Sequence, residues 1–131
     1  MFKTIVCAIE ASNEGKAVLA KAAELAKRCD SKLFVIHVLP YTLLPKDYQK
    51  ELTEEAKPKI EKLCEAFEIP KKQQAIKVGK PYSHICDFAQ KKKADLIVIG
   101  THSKKGLKAL LGSTANGVVN NAECDVTIIK I

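Results

Sequence analysis

Three stretches of the chain are continuously apolar and rich in β-branched residues: Thr4 to Ile9 (TIVCAI), Lys32 to Leu39 (KLFVIHVL) and Asp95 to Ile99 (DLIVI). A strand with one wet face alternates apolar and polar residues, whereas an unbroken short run suits a strand covered on both faces. Between the first two runs, Val18, Leu19, Ala22, Leu25 and Ala26 recur at helical spacing. They predict a helix over Asn13 to Arg28, capped by Ser12 or Asn13. A second helical stripe, Leu52, Ala56, Ile60, Leu63, Cys64 and Phe67, contains Pro58. That proline must kink the helix or begin its regular part. Gln74 to Val78 alternates weakly and reads as an edge strand. Gly79 follows it, and Pro81 opens a helix with Ile85, Phe88 and Ala89 as its apolar stripe. Past Gly100, a glycine-containing loop leads to a last helix beginning near Gly112 and Ser113, with Ala115, Val118, Val119 and Ala122 facing inward. A strand from Val126 to Ile131 closes the chain.

The resulting order is β-α-β-α-β-α-β-α-β. Five strands alternating with four helices call for an α/β fold with an open, mainly parallel sheet and helices on both faces. At 131 residues and 47% apolar content, the chain fits one domain, residues 1–131, able to bury a core without metals or disulfides. No stretch approaches the roughly 18 apolar residues of a membrane span. The N-terminal MFKTIVCAIE reads as the approach to a strand and not as a signal peptide, so the expected location is the cytoplasm. The five cysteines, Cys7, Cys29, Cys64, Cys86 and Cys124, form no CxxC pair and have no metal-ligand spacing. They are expected to be reduced and mostly buried, a redox-sensing thiol being the alternative.

The formal charge of +7 comes from lysine patches at Lys71 and Lys72, Lys91 to Lys93, and Lys104, Lys105 and Lys108. Such patches fit an anionic partner. With only 5% aromatic residues, no Trp and no aromatic-glycine signature among the lysines, nucleic acid is a poor candidate. Most of these lysines read as solvated helix faces.

In open α/β sheets, ligands bind beyond the carboxyl ends of the strands. That selects Glu10, Ala11 and Ser12, then Leu39 and Pro40, Gly79, and the loop from Gly100. The stretch Gly100 to Thr114 (GTHSKKGLKALLGST) holds three glycines and three lysines, with no acid. Glycines let the backbone approach a phosphate, while Gly112, Ser113 and Thr114 set free N–H groups and hydroxyls at a helix start. The alternative is that the same residues only end a strand, turn a loop and cap a helix. His37 reads as a satisfied structural histidine, His84 as a surface one and His102 as a solvated loop residue. No Ser/His/Asp or Cys/His arrangement emerges, and Glu10 has no second positioned acid, so efficient catalysis is not expected.

The run DLIVIGTHSKKGLKALLGSTANGVVNNAECDVTIIKI resembles the C-terminal signature of universal stress proteins, whose nucleotide-binding members carry G-x2-G-x9-G-S/T. FKTIVCAIEASNEG, KLFVIHVLP and VGKPYSHICDFAQKKKADLIVIG resemble the same family, so the likeness spans essentially the whole chain. It implies an adenine nucleotide α-hydrolase-like sheet ordered 3-2-1-4-5, with ATP, or AMP or ADP, lying over strands 1 and 4, with or without Mg²⁺. On this resemblance Ala8, Ile9 and Ala11 line the pocket, the Val38 backbone meets adenine, and Glu10 stands where the family has an aspartate near the ribose or metal. Gly100, Gly112, Ser113 and Thr114 match the phosphate-binding positions, and Thr101, His102 and Ser103 complete the implied nucleotide-binding set. The implied role is a stress-response module with little or no hydrolysis, at most a slow ATPase, paired as a homodimer through Asp125 to Ile131. Two departures stand out: Ser103 replaces the second glycine, and eight residues, Lys104 to Leu111, precede Gly112 where the motif has nine. The alternative is a dimeric interaction protein of the same fold that binds no nucleotide.

Overall fold

Valine and isoleucine crowd the three central strands because each of these strands has a helical layer on both sides. The computed structural model describes residues 1–40, 43–101 and 112–131. In chain order it contains β1 (Thr4–Ala8), α1 (Asn13–Cys29), β2 (Lys32–Leu39), α2 (Lys46–Glu65), a 3₁₀ turn (Lys71–Gln73), β3 (Gln74–Val78), α3 (Pro81–Lys91), β4 (Leu96–Thr101), α4 (Ser113–Asn121) and β5 (Asp125–Lys130). All strand pairings are parallel, in the order β3-β2-β1-β4-β5.

Right-handed crossovers carry the chain outward from β1 on one face and back on the other. Alternate residues of each central strand therefore feed two separate cores. Ile5, Cys7, Val35 and Val98 pack against Val18, Leu19 and Ala22 of α1 and Ile60 and Cys64 of α2. Val6, Ile36 and Ile97 pack against Ile85 and Ala89 of α3 and Val118 of α4. The edge strand β3 is only half-buried, which accounts for its weak pattern.

Ser12 caps α1, its Oγ accepting from the Gly15 amide at 3.2 Å, and Asp30 closes the helix in the left-handed region. Helix α2 runs through Pro58 from a start at Lys46, so the proline does not begin it. Pro58 is exposed, where a missing backbone donor is cheapest. Three sequence expectations are corrected. Val119, placed among the inward residues of α4, is 44% exposed, because Ala115 and Val118 already define the buried side of this nine-residue helix. His84 is half-buried instead of lying on the surface, and its Nε2 lies 3.1 Å from the Val78 carbonyl. β1 stops at Ala8, not Ile9, while β4 extends to Thr101, beyond Ile99.

Cys7 and Cys64 are buried and the other three thiols half-buried, all five being free. Burial raises the Cys7 thiol well above its ordinary range and pushes Cys64 up to about 11, so both act as small hydrophobes. Lys92 does more than face solvent: its Nζ lies 5.1 Å from the ring centre of Phe34 and 5.6 Å from that of Phe88.

Candidate functional site

The strand order reverses at β1 and β4, whose following connections leave toward opposite edges of the sheet. Their carboxyl ends therefore diverge and leave a gap that no helix fills. A cleft of about 500 Å³ opens there. Its floor is Ala8 and Ile9 at the end of β1, Ile36 to Leu39 on β2, and Ile99 and Gly100 on β4.

Close packing shapes the entrance. A Cβ on Gly15 would sit 1.8 Å from the Glu10 carbonyl oxygen, so only glycine lets the first turn of α1 lie against that loop. This contact fixes Glu10 and Ala11 over the end of β1, and both line the cleft. On the β4 side, a Cβ on Gly100 would meet Ile131 Cδ1 at 2.5 Å and Val18 Cγ2 at 2.7 Å. Gly100 thus serves the packing of the cleft wall as well as lining it. Ile131 is held beside it by its amide, which donates to the Thr101 carbonyl at 3.0 Å.

The start of α4 is built differently. Gly112 is its N-cap with φ −59 and ψ 159, a conformation open to any residue, so no backbone requirement demands glycine there. Among the described residues no side chain caps this helix, and the first amide to find a helical carbonyl is that of Asn116, bonded to Gly112 O at 2.9 Å. The amides of Ser113, Thr114 and Ala115 are therefore left at the positive end of the helix dipole. Among the described residues, a Cβ on Gly112 would meet nothing nearer than Thr101 Oγ1, at 4.0 Å. Thr101 is buried, and its hydroxyl accepts from the Gly112 amide at 3.4 Å, tying the end of β4 to the helix start.

Of the residues singled out in the sequence, Ala8, Ile9, Glu10, Ala11, Val38, Gly100 and Thr114 line the cleft. Thr101, Gly112 and Ser113 stand at its α4 end, the last two exposed. His102 and Ser103 lie outside the described residues. The sequence reading missed the opposite wall, where Leu52, Glu55, Ala56 and Lys59 of α2 face the cleft, with Pro81 and Ile85 of α3 beside them. It also missed His37 as a lining residue. The residue is only 9% exposed, and its Nδ1 lies 2.8 Å from the Ile9 carbonyl oxygen.

Among the described lining residues, Glu10, His37, Glu55 and Lys59 are the ionisable ones. Among the described residues, no group of three or more His, Cys, Asp or Glu side chains is placed to hold a metal ion. None of the helices described is long and apolar enough to cross a membrane.

The sheet order agrees with the likeness to known proteins. The model of the universal stress protein family matches residues 1–130. Universal stress protein MJ0531 of Methanocaldococcus jannaschii is 34% identical over 142 aligned positions, covering 99% of this chain and 83% of that one. The solved structure of hypothetical protein MJ0577 superposes with a TM-score of 0.84 at 25% identity, covering 100% of this chain and 97% of that one. A universal stress protein solved in complex with cAMP shares the fold, with a TM-score of 0.64 at 21% identity over 98% of this chain and 97% of that one. This chain belongs to the universal stress protein family.

Proposed function

We propose that the cleft binds ATP or a related adenine nucleotide, its phosphates toward Gly112–Thr114 and its base toward Val38–Pro40, and that occupancy acts as a signal with little or no hydrolysis. The observation that carries this reading is the start of α4. Its first amides have no helical carbonyl partner among the described residues and open beside the cleft, and its N-cap is a glycine whose missing Cβ leaves room that nothing in the described protein fills. Uncapped amides in that setting favour a phosphate, and the absence of a side chain lets it come close. Toward β2 the lining turns apolar, with Ile36, Val38, Leu39, Pro40 and Leu52, as an aromatic base requires.

Mg²⁺ would arrive with the triphosphate, whose oxygens would supply most of the charge around it, and Glu10 at the end of β1 is the lining carboxylate beside the switch point. No pair of groups on the described lining forms an activated nucleophile, so the chemistry that fits is binding. We place the protein in the cytoplasm and expect it to work as a homodimer through β5.

Two measurements test the reading. Mass spectrometry of nucleotide released from the purified protein should find an adenine nucleotide. Mg·ATP at about a hundred times its dissociation constant should stabilise the fold by about 2.7 kcal/mol, read as a rise in melting temperature. A transition unmoved by millimolar nucleotide, with none released, would leave the family's nucleotide-free interaction role as the better account.

A further inference from the structure

His37 closes a gap left where β1 ends. The Ile9 amide still donates to Ile36 O at 3.0 Å, but β1 stops at Ala8 and the next carbonyl, that of Ile9, is taken by His37 Nδ1 at 2.8 Å. A carbonyl only accepts, so Nδ1 carries the proton, and in the neutral ring Nε2 is left with a lone pair. Nε2 makes no hydrogen bond to the described residues, although none of them buries a side-chain nitrogen or oxygen without a partner. His37 as a whole residue is 9% exposed and lines the cleft, so among the described surroundings the cleft is the opening to which Nε2 is assigned.

We infer that His37 Nε2 is the acceptor that reads an N–H or O–H donor on the base-and-ribose half of the bound nucleotide. The inference rests on the nucleotide reading above and adds a specificity-determining residue to it. β2 lies on the side of β1 away from β4 and the α4 start, which puts His37 at the non-phosphate half of the cleft. The donor is the exocyclic amine of the base or a ribose hydroxyl. A ligand with an oxygen acceptor in place of that amine would set two lone pairs against each other in a nearly dry site, which costs more than a lost contact.

The two nitrogens separate by substitution. Asparagine reaches about as far as Nδ1, so His37→Asn keeps a donor for the Ile9 carbonyl and removes Nε2. Glutamine reaches about as far as Nε2, so His37→Gln restores an acceptor in the cleft and orphans that carbonyl. Titration calorimetry with ATP, ITP, 2′-deoxy-ATP and 3′-deoxy-ATP should show the wild type preferring ATP by about three- to tenfold over the analogue lacking the donor. His37→Asn should fold and lose that preference. His37→Gln should regain part of it while melting lower. ITP as the disfavoured analogue assigns the amine; a deoxynucleotide assigns the hydroxyl.

A second measurement needs no variant: the ¹⁵N resonance of the unprotonated His37 nitrogen should shift on adding ATP and not on adding the disfavoured analogue. A folded His37→Asn protein that keeps the wild-type preference, or a ring resonance indifferent to ATP, would overturn the role of His37 alone. A wild type that binds none of the four would overturn the nucleotide reading itself, and this inference with it.

Discussion

Gly100 and Gly112 look equivalent in the sequence, two glycines at the ends of one loop, and the structure gives them opposite jobs. Gly100 is tight. An added Cβ would press on Val18, which is 2% exposed and β-branched, and on Ile131. Gly100→Ala should therefore cost about 1–3 kcal/mol through overpacking, read as a lower melting temperature in the absence of ligand. Gly112 is uncrowded by the described residues, and its φ of −59 suits any residue. Gly112→Val should fold, losing at most about 1 kcal/mol for a poorer N-cap, and on the proposed reading should lose nucleotide binding because its side chain would occupy the place proposed for the phosphates. Calorimetric melting and titration of both variants check the pair; a Gly112→Val protein with wild-type affinity would put the phosphates elsewhere. Sequence alone could mark both glycines as candidates. It could not show which missing Cβ is filled by the protein's own atoms, since Ile131 and Val18 reach Gly100 only through the fold.

The elements most legible in the sequence are those buried on both faces. Continuous apolar runs fixed β1, β2 and β4 to within two residues, because no polar alternation competes with that signal. The α2 wall of the cleft was not legible. Glu55 and Lys59 border the apolar stripe of Ala56 and Ile60, and charged residues beside a stripe ordinarily face water. Only the gap beyond β2 turns them toward a cleft.

One inter-element clamp carries a pH dependence. Asp95, just before β4, accepts the amides of Lys3 and Thr4 at the start of β1, at 2.8 and 3.0 Å, both through Oδ2. Hydrogen bonds from the Thr4 and then the Lys3 amide hold its carboxyl below the usual carboxylate range. A depressed folded value contributes stability that is present above the ordinary carboxylate pKa and is lost as pH falls through the lowered one. Asp95→Asn keeps an oxygen able to accept both amides and removes the charge. The variant should melt below the wild type at neutral pH, and the difference should shrink on acidification. A gap that stays constant down to the wild type's own acid unfolding would assign the clamp to geometry and not to charge.

At the scale of the molecule, the order β3-β2-β1-β4-β5 leaves β5 paired on one side only among the described strands. Its register with β4 is unbroken from Asp125 to Lys130, so backbone directions alternate without a bulge. The Ile131 amide points to β4, where it meets Thr101 O. By the period of two, the amides of Thr127 and Ile129 also face β4, while those of Val126, Ile128 and Lys130 face the open edge. Nothing there blunts the edge: the strand DVTIIK has no proline, and after Asp125 its one charge is Lys130. Two such edges meeting antiparallel about a two-fold axis would pair those three amides with the partner's carbonyls and cover the half-buried Val126 and Ile128. The alternation also selects the variant that tests it. Ile128→Pro removes an outward donor and leaves the β4 ladder whole, whereas proline at Ile129 would break the sheet itself. Sedimentation should give the wild type twice the 14.4 kDa chain mass at micromolar concentration, and Ile128→Pro the single mass with an unchanged circular dichroism spectrum. A monomeric wild type, or a dimeric Ile128→Pro protein, would rule this edge out as the interface.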